Sequence, residues 1–142
     1  MVVLKFGGSS IADVQALQKL GSIVLEKYNS YNSPVITVVS AVGGTTDLIE
    51  KAIDQAEQKN KSYLTVVQQI KDLHQPFIEF IPIEADLKQD IGQDFEDLET
   101  ILGGVFLIGE ASLRTRDKVL GYGELLSSKL LNAYLNSLDV VS

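Results

Sequence analysis

The 142-residue chain has no cysteine, no tryptophan, one histidine and three prolines. Without cysteine there is no disulfide, no thiol nucleophile and no thiolate metal site, and a single histidine leaves little for a zinc cluster. Any metal here would be held by oxygens or by a bound phosphate. No apolar run approaches the roughly 18 residues that a membrane helix needs, and the amino terminus lacks the basic-then-apolar layout of a secretory signal, so the expected address is the cytoplasm. Basic residues are the scarcer charge. Twelve Lys and Arg stand against 19 Asp and Glu, a net charge of -7, with no basic stripe for a nucleic-acid backbone. A small anionic ligand stays possible, because it needs only a few local donors.

What is present is the composition of one ordinary core-forming domain, 45% hydrophobic and 22% charged. Residues 2 to 6, VVLKF, read as a short apolar strand broken only by Lys5, and Gly7-Gly8 then force a tight turn. Ser9 or Ser10 can cap the helix that follows, whose apolar residues Val14, Leu17, Leu20, Val24 and Tyr28 recur at three and four from Ile11. A polar loop over residues 29 to 34 leads to a second β-branched strand, VITVVS, residues 35 to 40. Strand, helix, strand is a βαβ unit, which opens the carboxyl ends of both strands onto one rim.

The second strand also ends in a glycine turn, SAVGGTTD, where Thr45, Thr46 or Asp47 can start a helix bearing Leu48, Ala52, Ile53 and Ala56. The remainder reads as mostly helical. One stripe holds Leu64, Val67 and Ile70, and a longer one holds Leu87, Ile91, Phe95, Leu98, Leu102 and Val105, with Pro76 and Pro82 as punctuation. Thr115 or Asp117 can cap a last helix from about residue 118 to 138, and DVVS at 139 to 142 looks like the opening of another strand. A sheet with two certain strands beside this much helix reads as unfinished.

Three segments carry chemistry. Lys5 sits in a strand where an unpaired buried ammonium would cost several kcal/mol, and it is followed at once by a glycine turn and a helix start, which favour a phosphate. The plain alternative is a lysine snorkelling from an edge strand. The spacing is neither a Walker A loop nor a dinucleotide fingerprint. In the second turn Ser40, Thr45 and Thr46 supply hydroxyls beside backbone amides, suited to a carboxylate or a phosphate, or simply to capping. In GYGELLSS, residues 121 to 128, Glu124 shares a helical face with Leu120, Ser127 or Ser128, Leu131 and Leu135, while Gly121 and Gly123 suggest close approach by a backbone or a ligand. A buried Glu124 could take a ligand ammonium; a solvent-facing Glu124 would not need to. His74 reads as structural or exposed, Arg114 and Arg116 as a solvated loop, and the acidic run through Asp86, Asp90, Asp94, Glu96, Asp97 and Glu99 as a solvated helix face.

Together, KFGGSS, VVSAVGGTTD and GYGELLSS resemble the aspartokinase family of the amino acid kinase superfamily, in the family's order and over essentially the whole chain. The resemblance implies an α/β/α sandwich of the amino acid kinase type, with residues 1 to 142 as the amino-terminal, amino-acid-binding part of a catalytic domain, and the nucleotide lobe and regulatory domains beyond it. It implies transfer from MgATP to the side-chain carboxylate of L-aspartate, giving 4-phospho-L-aspartate. ATP and the Mg2+ it carries are the implied cofactors, and a homo-oligomer is the implied assembly. Lys5 would neutralise the transferring phosphoryl group; Gly7, Gly8 and Ser9 would line the phosphates; Ser40, Thr46 and Glu124 would contact aspartate, Glu124 at its ammonium. No metal ligand is implied in the chain itself.

That chemistry suits these residues, since phosphoryl transfer needs positioning and charge stabilisation more than a general base, and the acceptor carboxylate is already ionised. Two positions depart from the family pattern: Ser9 replaces a threonine, and Thr45 stands where a hydrophobic residue is common. Two other readings stay open. One is a non-catalytic module that binds an anionic amino acid or a partner chain, favoured if Glu124 faces solvent and disfavoured if Lys5 and Glu124 converge on one cleft. The other is a related kinase for another small carboxylate. Fusion to homoserine dehydrogenase is compatible with the resemblance, and the chain alone is expected to be inactive or nearly so, with self-association or marginal stability from exposed apolar faces.

Overall fold

The computed structural model describes residues 1–31 and 34–138. Two strands, β1 (Val2–Phe6) and β2 (Val35–Val39), pair in parallel, with Val2 opposite Val35 and Phe6 opposite Val39. Between them runs the crossover helix α1 (Val14–Ser30), and α2 (Thr45–Glu57), α3 (Tyr63–Phe80), α4 (Ala85–Ile108) and α5 (Leu113–Ser137) follow. The described residues thus form a mostly helical α/β unit around a small parallel sheet, as expected. The strand anticipated at Asp139 lies outside the described residues.

Both strands alternate between half-buried and exposed positions, so the sheet is covered on one face only. Leu4, Phe6 and Val39 pack against the core, while Val3, Lys5, Ile36 and Val38 share the bare face. This corrects the reading of Lys5 as part of a buried strand. Lys5 therefore needs no buried partner, because the pleat itself carries its side chain into solvent.

Helix starts differ from expectation where capping chemistry competes. Residues Gly8–Ile11 form one 3₁₀ turn, and neither Ser9 nor Ser10 caps α1; Asp13 does, its carboxylate accepting from the Ala16 N–H at 2.7 Å. Ser112, ahead of either expected residue, caps α5 by accepting from the Thr115 N–H. Helix α3 runs through Pro76, because Ile70, His74 and Phe77 are buried on the opposite side and their packing outweighs the roughly 3 kcal/mol penalty of an interior proline. Leu64, assigned to the α3 stripe, is exposed; Tyr63 and Val66 take the inner face instead.

The core runs through Leu17, Leu20, Ile49, Ile53, Ile70, Leu98, Leu102, Leu126 and Leu130, so every helix contributes to one cluster. Each such side chain adds about 1.5–3 kcal/mol of burial. His74 is among them, fully buried, its Nδ1 2.7 Å from the Ile70 carbonyl and its ring edge-on to Phe95. Two ionic clusters tie helices together. Lys129 of α5 reaches Asp90 at 2.6 Å and Asp94 at 2.5 Å on α4; burial pulls its pKa down, but the hydrogen bonds and charges of the two aspartates outweigh that and hold it up. Asp94 is thus a buried partner and not part of a solvated face. Arg116, expected in a solvated loop, lies in the first turn of α5 and pairs with Asp54 and Glu57 of α2.

Candidate functional site

The parallel pairing carries the ends of β1 and β2 to one rim, where the Ser40 N–H donates to the Phe6 carbonyl at 3.1 Å. Beyond it the two glycine turns touch. A Cβ added at Gly8 would lie 3.3 Å from the Ala41 carbonyl oxygen, and one at Gly43 would lie 3.2 Å from Cα of Ala12. Gly44, at φ +83, turns the chain into α2 without a side-chain cap, a left-handed conformation that glycine adopts freely. The second turn then lies on α5. A Cβ at Gly123 would come within 2.9 Å of the Ala41 Cβ and 3.5 Å of the Thr45 Cγ2, and the Ser127 hydroxyl accepts from the Val42 N–H at 2.9 Å. All three motif segments therefore form one contiguous body.

The side chains divide across it. Gly7, Ser9 and Lys5 are exposed, and Gly8 and Ser40 are half-buried. Lys5 has no ion-pair partner among the described residues. An unpaired ammonium beside two open backbone turns is suited to an anion. Thr46 is exposed at the start of α2, but Thr45 is wholly buried, so it presents no hydroxyl to a ligand. Its Oγ1 has no hydrogen-bond partner. The turn thus offers Ser40 and Thr46, not three hydroxyls.

Glu124 is exposed, not sunk in an apolar stripe. The buried face of α5 takes in Val119, Gly123, Leu126 and Leu130 beside the expected Ser127, Leu131 and Leu135, which leaves Glu124 at its margin. There it lines an open groove of about 1290 Å³ between β2 and α5, with Thr37, Val38, Leu125 and Ser128. Val38 is also the residue opposite Lys5 in the β ladder. Val38 thus belongs both to the ladder beside Lys5 and to the groove that Glu124 lines. The groove that Glu124 lines does not include Lys5 among its lining residues. Gly121, paired with Gly123 in the sequence reading, has open space around it, so only Gly123 reflects close approach. The residue that reading left undecided is Ser127, which is the buried one; Ser128 is exposed. Its signal was a serine falling one turn after the glycine that receives the Ala41 side chain.

The amino acid kinase family model matches residues 1–142. Aspartokinase 1, chloroplastic, of Arabidopsis thaliana is 35% identical over 141 residues, which is 97% of this chain and 24% of that protein. The bifunctional aspartokinase/homoserine dehydrogenase 1, chloroplastic, of Zea mays is 27% identical over 133 residues, 92% of this chain and 14% of that protein. The chain therefore spans about a quarter or less of the length of these curated relatives. Among solved structures, E. coli aspartokinase III in complex with aspartate and ADP aligns with a TM-score of 0.83 at 25% identity, over 98% of this chain and 29% of that one. The same enzyme in complex with lysine and aspartate gives 0.84 at 25% identity, over 99% and 30%. Among the described residues, no helix is long and apolar enough to cross a membrane.

Proposed function

Because the chain belongs to the amino acid kinase family and has its α/β fold, we propose that it is the aspartate-binding part of an aspartokinase, the catalytic region that phosphorylates the side-chain carboxylate of L-aspartate. The observation that carries this reading is the junction of the three motif segments, the two glycine turns seated on each other and the second of them seated on α5 beside Glu124. The named relatives and the aspartate and ADP complex of the E. coli enzyme support the same reaction.

In this reading the substrate carboxylate attacks the γ-phosphorus of ATP, the bond from that phosphorus to the bridging oxygen breaks, and the electron pair leaves with ADP. The product is an acyl phosphate. Lys5 meets charge on the transferring group, and the amides of Gly7, Gly8 and Ser9 line the phosphates. Ser40 and Thr46 hold the amino acid from the β2–α2 turn, and Glu124 accepts its ammonium from the other side. A carboxylate in that place favours ligands that carry an ammonium by direct charge pairing. Among the described residues no three His, Asp or Glu side chains gather to hold a metal, and in this reading magnesium comes with the nucleotide. The cytoplasm is the proposed address and a homo-oligomer the proposed assembly.

The test is hydroxylamine trapping of acyl phosphate by the full-length gene product, given L-aspartate and MgATP, beside its Lys5→Ala form. Aspartate-dependent hydroxamate that disappears with Lys5→Ala is expected. A folded protein that binds aspartate but makes no hydroxamate would favour the binding-module reading, which the exposure of Glu124 to an open groove also fits.

A further inference from the structure

We infer that Ser127 is a positioning residue for the amino acid substrate, a role that rests on the kinase reading above. Ser127 is completely buried, and both faces of its hydroxyl are used. It donates to the Gly123 carbonyl at 2.8 Å, one turn back along α5, and accepts from the Val42 N–H at 2.9 Å. Val42 is 1% exposed, so water cannot replace that acceptor. The Val42 carbonyl in turn accepts from the Thr45 N–H at 2.9 Å, at the first residue of α2. One hydroxyl therefore fixes the peptide in the middle of the β2–α2 turn, with Ser40 two residues before it and Thr46 four residues after.

The same side chain stands three residues beyond Glu124 on α5. The proposed contacts to the aspartate come from two elements far apart in sequence, the turn and the helix, and the Ser127 hydroxyl joins them across 85 residues. Gly123 makes the junction close, leaving room for Ala41 where any side chain would intrude. Because Ser127 points into the turn and not toward the groove, its action on substrate runs wholly through the geometry of its neighbours. Lys5 stands on β1, and Gly7 and Gly8 form the other turn, which meets this one at Ala41 but, among the described residues, makes no hydrogen bond to Val42 or Ser127, so the nucleotide contacts are one packing step removed from the bridge.

The experiment is steady-state kinetics of the full-length protein and its Ser127→Ala and Ser127→Thr forms, varying L-aspartate and ATP separately. Truncation to alanine leaves the buried Val42 N–H without a partner, and the turn relaxes. We expect the KM for aspartate to rise about tenfold, of the size that small misplacements of substrate-holding groups produce, with the KM for ATP within about twofold. Threonine keeps the hydroxyl and should restore most of the aspartate KM even where its extra methyl lowers the melting temperature. A lower melting temperature with both KM values unchanged would overturn the inference, as would equal loss of both affinities. Should the alanine form fail to fold, a Ser127→Cys form decides, since its thiol is only a weak acceptor for the Val42 N–H: a raised aspartate KM at an unchanged ATP KM from a folded protein supports the inference, and an aspartate KM equal to that of the unaltered protein refutes it. If the unaltered protein makes no aspartate-dependent product, the kinase reading fails and takes this role with it, an outcome distinct from an active protein indifferent to Ser127.

Discussion

Gly121 and Gly123 stand two residues apart in the same helix, and alanine should stabilise the chain at the first but not at the second. Both replacements remove the same conformational freedom from the unfolded chain, worth about 1 kcal/mol in favour of alanine within a helix. At Gly121 nothing lies within 4 Å of the new methyl, so that gain stands alone. At Gly123 the methyl meets the Ala41 Cβ at 2.9 Å, with the Thr45 Cγ2 at 3.5 Å and the Ile49 Cδ1 at 3.6 Å. Ala41 has no rotatable side chain that could swing away, so relief requires moving the backbone of the β2–α2 turn. Overpacking of that kind costs about 1–3 kcal/mol, which cancels or exceeds the helix gain. Since the propensity term is common to both, the difference between the two variants isolates the steric cost. Thermal melts followed by circular dichroism should place Gly121→Ala roughly 3 °C above the unaltered chain and Gly123→Ala level with it or several degrees below. Equal upward shifts would show that the turn does not rest on Gly123, and the contact argued here would be wrong.

Three further outcomes follow from buried polar groups. Thr45→Val should stabilise the chain by about 1 kcal/mol, because the Thr45 hydroxyl is buried without a partner and the swap removes an unmet donor at nearly constant shape; a lower denaturation midpoint in urea would contradict this. His74 is held below its ordinary pKa chiefly by burial, opposed by its contact with the Ile70 carbonyl. The unfolded chain then binds the proton that the fold refuses, so stability should fall as pH drops below about 6.5, and His74→Leu should flatten that part of the profile; an unchanged slope in denaturation at stepped pH would count against it. Lys129→Ala strips Asp94 of its close cation while Asp94 stays buried, and should cost about 2 kcal/mol, whereas a variant that also carries Asp94→Ala should recover part of the loss; additivity in the double-mutant cycle would argue against the pairing.

How far the sequence could be read depended on the range of the interaction. Local periodicity was sufficient for the helices, since Leu98, Leu102 and Val105 must share a face whatever lies opposite. It was also sufficient for the parallel strand pair and for the two glycine turns at its end. The failures are tertiary. Whether Pro76 ends α3 depends on the burial of Phe77 just after it, and no local rule weighs that. Arg116 looked like a loop residue because its partners, Asp54 and Glu57, are about 60 positions away. Glu124 was misplaced although its stripe was not: Leu131 and Leu135 are buried as read, but α5 also turns Gly123 and Ser127 inward, and Glu124 falls just outside that face. Counting apolar residues could not find those two positions, because glycine and serine mark them by being small enough to admit the β2–α2 turn, Gly123 the Ala41 side chain and Ser127 the Val42 amide.

The bridge between Val42 and Ser127 also dictates an order of assembly. A ribosome releases β1, β2 and both glycine turns well before it reaches α5, and throughout that interval the Val42 amide has only water for a partner. Strand pairing alone joins segments 33 residues apart, a modest loop to close, while the substrate-side turn waits for a contact 85 residues distant. The mouth of the site is thus finished only once α5 arrives. Protection of the Val42 amide during refolding should rise with the docking of α5, later than protection of the strand amides, so an early-folding chain can possess its sheet and both of its turns while still lacking a shaped place for the amino acid.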